Sequence, residues 1–511
     1  MLKNKIKLSS FVLILSFVNL ILYHIPLFQF AINNLDCKSL GGIVIIVSLA
    51  ILAFILNALV FYILLFISRF IGKLLLVVFA IINAISIYFI NTYSVIIDET
   101  MIENILNSNF DQSSSFLSFN LILYLIILGI IPSILIIKSK IVKVKFIKFL
   151  KHVILTLIFI ASFVFANSSN WLWIDKNSKT LGGLAMPWSY VVNTHLFYQH
   201  KNKKNKKQIL LPDATIKDTK KSIAVIVIGE SARSQNFSLN GYKKDTNPLL
   251  SKINNIYSYE IESCATYTIE GVKCILEHKQ SNKLYEILPN YLYRNDIEVI
   301  WRTTNWGEPT VNIKNYLKKE DLKKLCKGDR CNYDEILLSG LEEQILASDK
   351  NKILIVLHTN TSHGPTYYKK YPQEFNKFTP VCKSVELGKC TQEELMNAYD
   401  NTIVYTDYIL SSLIEKLKGL EEYDSSMFYV SDHGESLGEN NLYMHGMPAS
   451  IAPKEQLNIP FIVWLSDNSK ELKKDEVFSQ QNIFHSVLDF LAIESPIYDE
   501  GMSIFKKKDS N

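Results

Sequence analysis

The chain has 511 residues, 48% of them apolar and only 20% charged. That balance excludes a disordered chain and a coiled coil and leaves room for roughly two to four domains. The net charge of +5, from 54 basic and 49 acidic residues, is too even to point to nucleic acid.

Five stretches in the first 174 residues lack Asp, Glu, Lys and Arg: 8–35, 39–68, 74–97, 112–137 and 152–174. Each exceeds the roughly 20 apolar residues that a spanning helix needs, and a helix satisfies its own backbone polar groups in lipid. Five α-helical spans are therefore predicted over 1–174. With the N-terminus inside, the inner segments hold Lys3, Lys5, Lys7, Arg69, Lys73, Lys138, Lys140, Lys143, Lys145, Lys148 and Lys151. The outer loops hold Lys38 against Asp36, Asp98, Glu99, Glu103 and Asp111. That asymmetry predicts a multi-pass protein with a cytoplasmic N-terminus and everything after residue 175 outside. The first span reads as an uncleaved anchor, because no small-residue cleavage site stands out.

Residues 175–221 form a bridging segment and linker. Trp171, Trp173, Trp188, Tyr190, Phe197 and Tyr198 suit a membrane interface. The run Lys201, Lys203, Lys204, Lys206 and Lys207 fits either a surface leaning on anionic headgroups or a solvated linker.

From 222 to 511 buried-type strands alternate with helical stretches, which predicts an α/β domain on a mostly parallel sheet covered on both faces. Strands at Ile223–Ile228, Ile353–Leu357 and Met427–Val430 each run into polar residues: Glu230 after the first, His363 after the second, Asp432 and His433 after the third. Sites form where loops leave the carboxyl ends of strands in such sheets. These four side chains are therefore expected to converge, and carboxylate and imidazole donors fit Zn²⁺, and Mn²⁺ less specifically. Gly434 allows the tight turn that lets Asp432 and His433 face one ion. Helices are predicted over 392–418 and roughly 335–348. Cys37 lies at the outer end of the first span, and six further cysteines fall in local couples in the outer half. Six cysteines permit 15 pairings. No couple has Cys-x-x-Cys spacing, and an outer compartment favours disulfides over zinc.

Several motifs together resemble the phosphoethanolamine transferases of Gram-negative envelopes. They are Gly229-Glu230-Ser231-Ala232-Arg233, Ser263-Cys264-Ala265-Thr266-Tyr267-Thr268, His363-Gly364-Pro365, Ser431-Asp432-His433-Gly434-Glu435 and Tyr443-Met444-His445-Gly446-Met447-Pro448. The resemblance spans the chain and implies five transmembrane helices and a periplasmic domain of alkaline phosphatase/sulfatase type. It implies that Thr268 is the nucleophile, with Thr266 second. It further implies that Glu230, Thr268, Asp432 and His433 hold a zinc ion, and that His363 and His445 lie at a substrate-phosphate or second-metal position. Asn305 matches a headgroup-contacting asparagine. The disulfides implied are Cys264–Cys274, Cys326–Cys331 and Cys382–Cys390. Pro309 stands where the colistin-resistance branch has a lysine, which bears on the acceptor.

The reaction so implied moves phosphoethanolamine from phosphatidylethanolamine, through a phosphothreonine, to lipid A or a lipooligosaccharide core sugar, in the inner membrane among its lipids. A monomer is expected. A phosphoglycerol transferase is the alternative enzyme, and a membrane sensor with a decayed site the alternative non-enzyme. His358 reads as a satisfied strand-end histidine, Glu435 and Glu439 as loop acids with Glu435 a candidate partner of His433, and Met444 and Met447 as packing residues.

Overall fold

The computed structural model describes residues 5–506 apart from 109–112, 167–172, 175–176, 205–207, 282, 468–469 and 474–475. It falls into two compact units, 1–106 with 117–203, and 107–116 with 204–511.

The first unit is helical. Helices α1 (Leu8–Tyr23), α2 (Ile25–Asn34), α3 (Leu40–Ile67), α4 (Arg69–Tyr93), α5 (Phe119–Lys138) and α6 (Phe146–Ala166) follow in order. Four of them are long and apolar enough to cross a membrane, and five spans result if α1 and α2 count as one. The predicted first span is thus bent, by 59°. The cause is Pro26, in the first turn of α2: it has no N–H, and its ring clashes with the preceding turn. Within α5 a π-turn covers Leu125–Ile130, next to Pro132. Pro132 cannot donate to the carbonyl four residues back, on Leu128, and that oxygen accepts the Tyr23 hydroxyl at 2.6 Å.

Helix α7 (Trp188–Lys204) departs from the interfacial reading of its aromatics. Trp188 Nε1 donates to Asn57 at 2.8 Å, and Tyr190 OH to Asn83 at 3.0 Å. Asn57 donates in turn to Asn19 at 2.9 Å. Buried amides inside the bundle give these rings their polar partners, so Trp188 and Tyr190 turn inward. Phe197 is buried and Tyr198 exposed. Trp171, Lys206 and Lys207 lie outside the described residues, as do the side chains of Lys201, Lys203 and Lys204.

The second unit is built on seven strands: β1 (Ser222–Gly229), β2 (Ile256–Glu262), β3 (Glu298–Thr303), β4 (Asn315–Lys318), β5 (Lys352–His358), β6 (Asp424–Ser431) and β7 (Asn458–Leu465). Their order across the sheet is β2-β7-β6-β1-β5-β3-β4. β1 pairs in parallel with β5 and β6, and β3 with β5 and β4, while β7 runs antiparallel to β6 and β2. The central strands are continuous apolar runs because both their faces are covered. Ala224, Ile226 and Ile228 pack with residues of α8 (Thr268–Leu276) and α10 (Asn482–Phe490). The long α9 (Gln392–Lys418) is held by a Thr391/Glu394 capping box. The helix predicted near 335–348 is instead a 3₁₀ turn, Asp334–Leu338, and a short helix, Leu341–Leu346. Gly340 separates them with a φ of 65°, a left-handed conformation that no helix continues.

Candidate active site

Register fixes the first two carboxylates. Gly229 on β1 lies opposite Ser431 on β6, so the chain leaves both strands side by side at Glu230 and Asp432. Ser231 takes a φ of 52°, costly for a residue with a side chain. Neighbours hold that turn: its N–H donates to Asp432 Oδ1 at 3.0 Å, its carbonyl accepts from Tyr399 OH at 2.7 Å, and Ala232 N–H donates to Ser431 Oγ at 2.8 Å.

Thr268 is the first residue of α8, where the unpaired N–H groups and the helix dipole favour negative charge. Two glycines bring it in. A Cβ on Gly271 would lie 2.4 Å from the Asp432 carbonyl oxygen, and one on Gly307 3.1 Å from Thr268 Cγ2. The Cys264–Cys274 disulfide spans the segment, and Cys326–Cys331 and Cys382–Cys390 are also bonded, with Cα separations of 6.4, 5.8 and 5.6 Å. Cys37 is free and exposed.

The four residues expected to share an ion stand together. Thr268 Oγ1 donates to Glu230 Oε2 at 3.3 Å and lies 3.4 Å from His433 Nε2. His433 Nε2 is 3.5 Å from Glu230 Oε1 and 3.4 Å from Asp432 Oδ2. All four are buried. His433 Nδ1 faces the Gly434 carbonyl at 2.8 Å. A carbonyl only accepts, so the neutral ring carries its proton there and turns a lone pair on Nε2 toward the two carboxylates. Asp432 Oδ2 is buried without any hydrogen-bond donor. Lone pairs converging in a dry site fit a cation. Glu230, His433 and His445 also offer ligand atoms within 4.8 Å of one another.

Electrostatics split the carboxylate pair. Burial, and then the charge of Glu230, push Asp432 far above the usual carboxylate range. Burial also raises Glu230, but the charges that His363, His433 and His445 carry when protonated, with the Ser231 hydroxyl bond, outweigh it and hold Glu230 low. Burial depresses His363 to about 4 and, with His433 beside it, His445 to about 3, so both rings are neutral at pH 7. Their ring centres are 5.8 Å apart, and His363 Nδ1 donates to the Gly364 carbonyl at 2.8 Å. Asn305 donates to Glu230 Oε2 at 2.6 Å and to the Thr359 carbonyl at 2.8 Å.

Other sequence readings change. Glu435 is no loop acid: it is fully buried, pairs with His445 Nδ1 at 2.7 Å rather than with His433, and accepts from Tyr367 OH at 2.5 Å. Burial raises it to about 8. Glu439 binds Arg233 at 2.7 Å. His358 is buried with no hydrogen-bond partner on either ring nitrogen and lies 3.6 Å from Glu308. The Thr266 hydroxyl is committed to the Met447 carbonyl at 2.5 Å, and Met444 is buried.

Residues 41–202 match the family model described as phosphoethanolamine transferase EptA/EptB, and 222–493 the sulfatase model. The chain is 38% identical over 508 residues to phosphoethanolamine transferase EptA of Helicobacter pylori, covering 96% of this chain and 94% of that protein. It is 34% identical to phosphatidylethanolamine transferase Mcr-1 of Escherichia coli, covering 78% and 79% of the two chains. The integral membrane lipooligosaccharide phosphoethanolamine transferase A of Neisseria meningitidis superposes over 98% of this chain and 99% of that one, with a TM-score of 0.87 at 25% identity. With helices of spanning length before a sulfatase-type sheet, the chain belongs to the phosphoethanolamine transferase family.

Proposed function

We propose that the chain carries phosphoethanolamine from phosphatidylethanolamine to an acceptor oxygen on lipid A or a lipooligosaccharide core sugar, in two steps on Thr268. The approach of Glu230, Thr268, Asp432 and His433 within 3.3–3.5 Å of their neighbours carries this reading. In the first step Thr268 Oγ1 bonds to phosphorus and the diacylglycerol oxygen leaves. In the second the acceptor oxygen takes the phosphoryl group and frees Thr268. The residues fit Zn²⁺, which Glu230, Thr268, Asp432 and His433 would hold, with His363 and His445 able to serve the substrate phosphate or a second ion. Bound Zn²⁺ lowers the pKa of a coordinated hydroxyl, as it brings that of water to about 7.

The rest follows from the chain's own groups. The N-terminus of α8 favours a negative oxygen at Thr268. The disulfide Cys264–Cys274 closes a short loop around it. Neutral His363 and His445 add no charge when they meet the substrate. A side chain at position 307 would crowd the Thr268 methyl, which Gly307 leaves clear. The names of the relatives support both substrates: one is a phosphatidylethanolamine transferase, another a lipooligosaccharide phosphoethanolamine transferase. The charge asymmetry of the loops supports an inner-membrane protein with this site in the periplasm.

Thr268→Ala is expected to abolish transfer while the far-UV spectrum and melting temperature stay within a few degrees of the parent. Chelation with a strong zinc ligand is expected to remove activity, and added Zn²⁺ to restore it. Turnover by Thr268→Ala at the parent rate would overturn the reading.

A further inference from the structure

An anionic substrate at Thr268 meets three carboxyl groups. Glu230, Asp432 and Glu435 are fully buried there. The charges of two carboxylates would match one divalent ion and leave no surplus for a phosphodiester. Arg233 is spent on Asn236, Glu439 and the Glu435 carbonyl, at 2.6, 2.7 and 3.2 Å. An incoming phosphodiester needs a cation from elsewhere.

One lysine is wired into the site. Lys370, half-buried after the turn Tyr367–Lys369, donates through Nζ to Asn360 Oδ1. Asn360 Nδ2 donates to Asn305 Oδ1 at 3.0 Å, and Asn305 Nδ2 to Glu230 Oε2 at 2.6 Å. The loop bearing Asn360 is pinned by Asp334, which accepts from the Asn360 N–H at 2.6 Å, from Thr361 OH at 2.5 Å and from Thr304 OH at 2.5 Å. Those three bonds occupy both oxygens of Asp334. Lys369, adjacent to Lys370 in sequence, is exposed and lies over the Tyr368 ring.

We propose that Lys370 supplies the cation that receives the phosphate of the donor phosphodiester beside Asn305, with Asn360 aiming its ammonium. This rests on the reading of Thr268 as nucleophile. A hydrogen bond to a charged group contributes about 1.5–3 kcal/mol, or roughly ten- to a hundredfold in affinity.

The test uses the full chain in detergent, with Thr268→Ala to hold the donor unreacted and glycerophosphoethanolamine as the titrant. Adding Lys370→Gln is expected to weaken binding at least about tenfold. Lys370→Arg should stay within about threefold, and Lys369→Gln, with the same change in net charge, should leave binding unchanged. Lys370→His should bind weakly at pH 8 and recover toward pH 6 as the imidazole gains charge, beyond any change in the parent. With Thr268 intact, Lys370→Gln should raise KM for the donor by a similar factor and leave kcat within about threefold. Binding and KM unchanged in Lys370→Gln would overturn the proposal, as would equal weakening by Gln and Arg, which would mean that shape and not charge matters. Failure of the nucleophile reading shows separately, as turnover by Thr268→Ala.

Discussion

A methyl group on Gly271 would press on the Asp432 carbonyl oxygen, 2.4 Å away. Neither backbone can yield without moving α8, and Thr268 opens that helix. Gly271→Ala is expected to lower turnover by about 10–100-fold, the scale of an ångström-sized misplacement, with the disulfides still formed; parent-like kinetics would contradict the packing account. Glu230, Asp432 and His433 were legible in the sequence because each follows a continuous apolar strand, the pattern that marks the rim of a parallel sheet. Thr268 carried no such mark, for it opens a short helix, and only the resemblance singled it out. Lys370, Tyr367 and the burial of Glu435 were hidden: a lysine beside another lysine reads as solvated surface, and only the folded loop separates the two.

At the scale of elements, the three strands nearest the site were readable and are extended by one to three residues at either end. The outer strands β2, β7, β3 and β4 were not, since Pro460 interrupts one and polar residues blur the others. The break at His24 was equally invisible to a count of charged residues, although Pro26 stood in plain view. The C-terminal end of α8 offers a test of this packing away from the site. Burial, then the Lys279 charge and the His485 ring, hold His278 down at about 4, whereas an unfolded histidine titrates near 6.5. The folded pKa is the lower one, so the unfolded chain takes up the proton first. Native stability is therefore expected to fall as pH drops from about 6.5 toward 4, and to be unaffected by this ring above 7. His278→Gln should shrink the loss of melting temperature between pH 7 and 5. An unchanged loss would place the responsible group elsewhere.

For the whole molecule, the contrast in composition between the two halves was the strongest signal in the sequence: charge-free stretches before residue 175, strand-and-loop alternation after 222. Orientation rests on the eleven basic residues of the inner segments, and Cys37 reports on it directly, because it is exposed and unpaired. A membrane-impermeant maleimide is expected to label Cys37 in intact spheroplasts. Labelling only after the membrane is opened would reverse the topology. The chemistry at the centre of the account is read most directly by mass spectrometry of the full chain, acid-quenched after exposure to phosphatidylethanolamine without acceptor. The expected result is a single phosphoethanolamine adduct that maps to Thr268 and is missing from Thr268→Ala. Diacylglycerol release with no adduct, or an adduct on any other residue, would contradict it.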